Sequence, residues 1–237
     1  MWQIAITGNP SSLRKASDIF SFDEDGFEIK KIDTRFYIET DIDAKNENEV
    51  RREGERIAIL INGILRVVTT EKANIGLTGT KEVKRLNDDG TPSIGFITTT
   101  VQGMSTSVKA TITDEDGNIE SQYPDDEIKK ILKTANKDET VHKVLQLSGN
   151  LDSWVNLYRM YEIIKDDVNG DDELKKISGI SKAKFTIFRR TANHQDAVGL
   201  QARHGALKKE PPNKPMPLTV ARNLIRKLII QWADTKG

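Results

Sequence analysis

From Met1 to about Asp116, short apolar runs alternate with turn chemistry. Ile4–Ile6, Ile19–Phe22, Phe27–Ile32 and Thr34–Thr40 have the composition of strands, and so do Arg56–Thr69, Ile94–Val101 and Thr106–Thr113. Alternation is plainest at Ile57, Ile59 and Ile61 and at Val108, Ala110 and Ile112. β-branched side chains of this kind pack well on a pleated surface. Asp25-Gly26, Asp89-Gly90 and Asp116-Gly117 fall between runs and can supply the positive φ of a tight hairpin. Gly8-Asn9-Pro10-Ser11-Ser12 lacks the Gly-Lys-Ser/Thr of a phosphate loop and reads as a turn. About seven or eight strands are expected, as a β-sandwich-like or strongly bent antiparallel sheet.

The period then changes. Tyr123-Pro124-Asp125-Asp126 reads as a helix start, with Ile128, Ile131, Leu132 and Ala135 sharing a face. The register shifts near Asp138, and Val141, Val144 and Leu145 form a second face, on a second helix or a broken one. Leu151–Val168 carries Leu151, Trp154, Val155, Tyr158, Tyr161 and Ile164 at three- and four-residue spacing. At that spacing the aromatic residues read as core rather than as a platform for stacking bases. Asp166–Glu173 reads as a helix end, a glycine and an acidic new start. A helix from Ser181, its cap, to about His194 turns Phe185, Phe188 and Ala192 inward. After a loop and Pro211–Pro217, a last helix runs from about Leu218 to Trp232. Arg222, Arg226 and Lys227 lie on its other side. The fold class expected is α+β, an antiparallel β-sandwich-like domain over residues 1–120 followed by a helical bundle over 121–237.

Composition narrows the classes. Charged residues make up 30% and apolar residues 36%, a globular balance. No run approaches the roughly 18 apolar residues that span a bilayer. The start, MWQIAITGNPSSLRK, lacks the pattern of a secretory signal. The chain has no cysteine, hence no disulfide or thiolate metal site, and a reducing cytoplasm is the expected location. Three histidines without clustered carboxylates make a poor ligand set, so neither metal nor cofactor is expected. The acidic loop fragments lack the spacing of a calcium loop.

The formal net charge of zero hides a separation. Residues 1–174 hold 22 Lys and Arg against 33 Asp and Glu, net −11, whereas residues 175–237 hold 14 against 3, net +11. Such a split points to a polyanion surface at the C-terminal end, or to attraction between the two ends within one chain or between subunits.

Within the basic part, Phe188–Gly205 concentrates arginine and two of the three histidines. Arg189 precedes His194 by five positions, which diverge by about 140° on an ideal helix. Long side chains can still converge where a helix ends. A neutral His can take the proton of a 2′-OH, and an Arg can hold the phosphate as charge builds on it. The segment resembles HEPN domains, small helical bundles, often dimeric, of which many are RNases of toxin and phage-defence systems. The resemblance rests on Arg189 and His194 and on Ala202-Arg203-His204-Gly205, and covers roughly residues 124–237. It implies metal-independent RNA cleavage by Arg189 with His194 or His204. Arg190 stands where active members commonly carry a polar residue such as Asn.

The expectation is an RNA-binding or RNA-cleaving protein with Arg189, His194 and His204 as catalytic candidates. Arg190, Arg203, Arg222, Arg226 and Lys227 are the candidate nucleic-acid contacts. The candidate partners are RNA, further copies of the chain and an operon partner protein, with no membrane. The alternatives are a non-catalytic nucleic-acid-binding module and a self-assembling protein that joins acidic and basic surfaces. On the structural alternative, His194 is a helix-terminal residue stabilised by the dipole, and Arg203-His204 holds the proline-rich segment down.

Overall fold

The computed structural model describes residues 1–20, 26–69, 72–79, 82–96, 125–203 and 210–237. The chain divides into two compact units, Met1–Lys133 and Thr134–Gly237. The expected boundary near residue 120 and the expected strand Thr106–Thr113 lie outside the described residues, as does Asp116-Gly117.

The first unit is built on one antiparallel sheet. Its strands are β1 (Trp2–Gly8), β2 (Phe27–Ile32), β3 (Arg35–Thr40), β4 (Ile75–Leu77), β5 (Val83–Leu86) and β6 (Pro92–Phe96). The spatial order is β2-β3-β1-β5-β6, with β4 also paired to β1. Among the described residues of this unit up to Phe96, α1 (Pro10–Ile19) and α2 (Glu47–Val68) give the order β-α-β-β-α-β-β-β, whose first six elements follow the split-βαβ pattern. The α+β class with an antiparallel N-terminal sheet is therefore present. Two of its pieces differ from expectation.

Arg56–Thr69 is not a strand but most of α2, a 22-residue helix. Its buried residues recur at helical spacing, among them Val50, Ile57, Ile61, Ile64, Leu65 and Val68, while Ile59 is 46% exposed. Alternation at Ile57, Ile59 and Ile61 was coincident with one helical turn. The start signal lies ten residues upstream. The Asn46 side chain caps the helix, accepting from the Glu49 backbone N–H at 3.1 Å and donating to the Glu49 carboxylate at 3.0 Å, and that carboxylate also accepts from the Lys45 backbone N–H at 2.8 Å. Likewise Gly8–Ser12 is more than a turn. Asn9 caps α1, accepting from Ser11 N–H, and Pro10 occupies its first position. Ile19, expected in a strand, is the last residue of that helix.

Both helices cover one face of the sheet. Gly54 of α2 lies so close to Ile4 that an added Cβ would stand 2.9 Å from its Cδ1. Asn62 of α2 acts as a strand partner: its amide donates to the Ile75 carbonyl and accepts from the Ile75 N–H, each at 2.7 Å. The opposite face carries an ion ladder. Gln3 and Lys30 both donate to the buried Glu39 carboxylate, at 2.9 and 3.2 Å, and Arg35 and Lys84 pair with Glu82.

Next come α3 (Asp125–Lys137), with Ile128, Ile131, Leu132 and Ala135 buried, and the helices of the second unit, α4 (Glu139–Ser148), α5 (Trp154–Asp167), α6 (Asp171–Ser178), α7 (Lys182–Asn193), the short α8 (Gln195–Val198) and α9 (Leu218–Asp234). Asp138 caps α4 through the N–H groups of Thr140 and Val141, so the register shift is a break between helices. α5 is the centre, packed on α4, α6, α7 and α9. Its Trp154, Tyr158 and Tyr161 are buried among Phe185 and Phe188, with ring centroids 5.6–6.2 Å apart, and the Arg203 guanidinium covers Tyr158, 4.6 Å from the ring centroid. The proline-rich segment is pinned on α7, where Met216 N–H donates to the buried Thr191 hydroxyl at 3.0 Å. No described helix is long and apolar enough to cross a membrane.

Candidate nucleic-acid interface

The basic C-terminal part meets its own acids inside the second unit. Arg189 pairs with Asp171, Arg203 with Glu162, Arg222 with Asp152, and Lys236 with Asp138 and Asp167. Every one of these acids lies before residue 175. The +11 of the last 63 residues is thus partly neutralised by neighbours that precede them in sequence. Counted by unit, residues 134–237 hold 18 Lys and Arg against 12 Asp and Glu, net +6, and residues 1–133 hold 18 against 24, net −6.

Arg189 leaves α7 toward Asp171, with Nη1 3.2 Å from Oδ2 and the guanidinium 6.0 Å from the centre of the Tyr161 ring. Asp171 opens α6, where a carboxylate suits the helix dipole. Its Oδ1 also accepts from the Tyr161 hydroxyl at 2.8 Å and pairs with Lys165 at 3.3 Å. Burial alone would raise the Asp171 carboxyl. The Tyr161 hydroxyl, Arg189 and Lys165 outweigh it and hold the group below its ordinary value. Burial, and then the bond to Asp171, push the Tyr161 hydroxyl upward, so it remains a donor.

His194 turns elsewhere. It ends α7 and caps α8, its Nδ1 accepting from the Asp196 N–H at 3.3 Å, and it is only 7% exposed. Arg189 and His194 therefore engage different partners. His204 lies outside the described residues. Arg190 is exposed and donates to the Glu210 carbonyl at 3.2 Å. Arg203 returns to α5, 3.1 Å from Glu162 and 4.6 Å above the Tyr158 ring, while its N–H donates to the Ala192 carbonyl. Arg222 is bound to Asp152. Arg226 corrects the expected outer face of α9: it is 8% exposed, buried together with Ile225, Ile229, Ile230 and Ala233 of the same helix. Lys227 is exposed.

The structure thus brings Arg189 and Arg203, fourteen positions apart, over two tyrosines one turn apart on α5. Tyr158, Glu162 and Lys165 form a stripe at helical spacing that sequence inspection could have singled out. Asp171 could not be paired with Arg189 that way, since the contact is made only by packing. Outside these pairs, α7 keeps a basic face. Its twelve residues contain two Lys and two Arg and no acid, and Lys182, Lys184, Ile187 and Arg190 are exposed. Lys182, Lys184 and Arg190 have no carboxylate partner among the described residues. Among those residues no cluster of His, Asp and Glu is placed to hold a metal ion. Comparison with family models, with curated proteins and with solved structures finds no match to this chain.

Proposed function

We propose that this chain is an RNA-binding protein whose helical unit holds backbone phosphates on the outer face of α7 without cleaving them. The observation that carries this reading is the acid-free α7, with Lys182, Lys184 and Arg190 outward and without a carboxylate partner among the described residues. Asp171, Glu162 and Asp152 are already committed to Arg189, Arg203 and Arg222. Binding is favoured over cleavage because the His194 imidazole is buried and used as a helix cap, whereas a general base needs an accessible nitrogen. In this reading the HEPN-like segment is a binding scaffold.

The test is fluorescence anisotropy with single-stranded RNA across a salt series. Each phosphate contact contributes about 0.7 to the slope of log affinity against log salt. Replacing Lys182, Lys184 and Arg190 together by Ala should lower that slope by about 2. An unchanged slope would sink the assignment of this face. RNA cleavage that persists in EDTA and disappears in His194→Ala would replace binding with catalysis.

Self-assembly is a second reading, favoured by the residual charges of −6 and +6 on the two units. It requires sedimentation at low ionic strength to show a species larger than the monomer that dissociates as salt is added.

A further inference from the structure

Beside α5 lies a cavity of about 670 Å3 lined by Tyr158, Tyr161, Glu162, Lys165, Asn169 and Arg189 among others. Arg189 lines it, whereas Arg203 sits on two of its lining residues, Glu162 and Tyr158, and the two arginines are held differently. Arg189 belongs to a fixed cluster, in which Asp171 takes donors from Arg189, Tyr161 and Lys165 together. Arg203 has one carboxylate, Glu162, and the two side chains are 36% and 41% exposed. Its guanidinium covers the ring of Tyr158, 4.6 Å from the centroid, and that ring is braced by the near-parallel ring of Phe188.

A half-exposed ion pair is weak in water. A guanidinium on a phosphate can make two charge-assisted hydrogen bonds, and an aromatic face accepts any base. The volume is that of a small-ligand site. We infer that this cavity is a single-nucleotide subsite for single-stranded RNA in which Glu162 stands in for the phosphate. On binding, Arg203 exchanges Glu162 for a backbone phosphate, and the base next to it stacks on the face of Tyr158 that the guanidinium vacates. Arg189 and Lys165 stay on Asp171 and form the rigid wall. The ligand is single-stranded because a base in a duplex already has both faces covered. The inference rests on the RNA-binding reading above and adds to it a subsite and a competitor.

The experiment measures the affinity of the full chain for a short oligouridylate and for a duplex of equal length. The proteins are the unaltered chain, Glu162→Gln, Arg203→Ala and the double variant, each checked for folding by circular dichroism. Removing the competitor should tighten single-strand binding about two- to fivefold. Arg203→Ala should weaken binding, and Glu162→Gln should have no further effect in its presence. An equal gain with and without Arg203 means simple charge removal and overturns the subsite. So does an equal gain on duplex, or Glu162→Gln leaving single-strand affinity unchanged or lower, while the α7 reading survives. If no form binds either RNA, both fall.

Discussion

Single side chains in this protein do work that backbone pairing does elsewhere. Asn62 satisfies both the N–H and the C=O of Ile75 from a helix, at 2.7 Å each. Asn62→Leu should cost about 2 kcal/mol, since two backbone groups lose their partners, and urea unfolding measures it. Asp171 has a comparable post in the helical unit. Its folded carboxyl sits below the ordinary value. Its stabilising contribution is therefore complete above the unfolded value of about 3.9 and is lost as the pH falls through the lower folded one. At neutral pH, Asp171→Asn should unfold more easily by about 1 kcal/mol, a figure discounted for partial exposure. The two melting curves should converge as the pH drops below about 4. A difference that persists in acid would show that the carboxylate charge is not what stabilises this corner. His194→Ala removes the cap of α8 and should cost about 1 kcal/mol, with RNA affinity unchanged.

At the scale of elements, α2 decides how the first unit is made. A strand over Arg56–Thr69 would bury Ile57, Ile59 and Ile61 alike. The helix buries the first and third and leaves Ile59 out. Ile57→Ala should cost about 2–5 kcal/mol and Ile59→Ala less than about 0.5, as denaturant midpoints will show. Equal losses would contradict the helix. The junction of β1 with α1 is similarly exacting. A Cβ on Gly8 would stand 2.2 Å from the Asn74 carbonyl oxygen. Backbone cannot step aside as a side-chain tip can, so Gly8→Ala should separate β1 from β4 and cost about 2 kcal/mol or more.

Across the whole molecule, charge is arranged in two stages. The sequence separates it by 22 formal units, from −11 to +11 across residue 174. Folding then folds part of that separation inward, because Asp138, Asp152, Glu162, Asp167 and Asp171 sit within the helical unit and pair with bases that come later. Among the described residues after residue 174, the exposed bases without a carboxylate partner are Lys182, Lys184 and Arg190 of α7, together with Lys175, Lys214 and Lys227. Salt acts on these two populations unequally. Exposed charges are screened at about 10 Å in 0.1 M salt, while half-buried pairs are screened less. RNA affinity should accordingly fall steeply over a salt range in which the melting temperature of the chain shifts little.

The helical unit was legible because each of its signals is local. Ser181 and the acidic run after Gly170 mark starts, and apolar residues at spacing three and four mark the faces of α3, α4, α5 and α7. The strands β1, β2 and β3 were legible for the same reason. α2 was not, because a short apolar run fits both periods, and the deciding cap at Asn46 lies outside it. The Arg189–His194 spacing is likewise a statement about sequence alone. Which atoms each side chain meets was decided by packing. Arg189 goes to Asp171, eighteen residues back, Arg203 goes to Glu162, forty-one residues back, and His194 stays at home as a cap. The sequence by itself determined the α+β class, the helical period of the second half and its basic character. The tertiary structure alone decided which of those charges are cancelled, because a Coulomb partner is set by distance in space and not by separation along the chain.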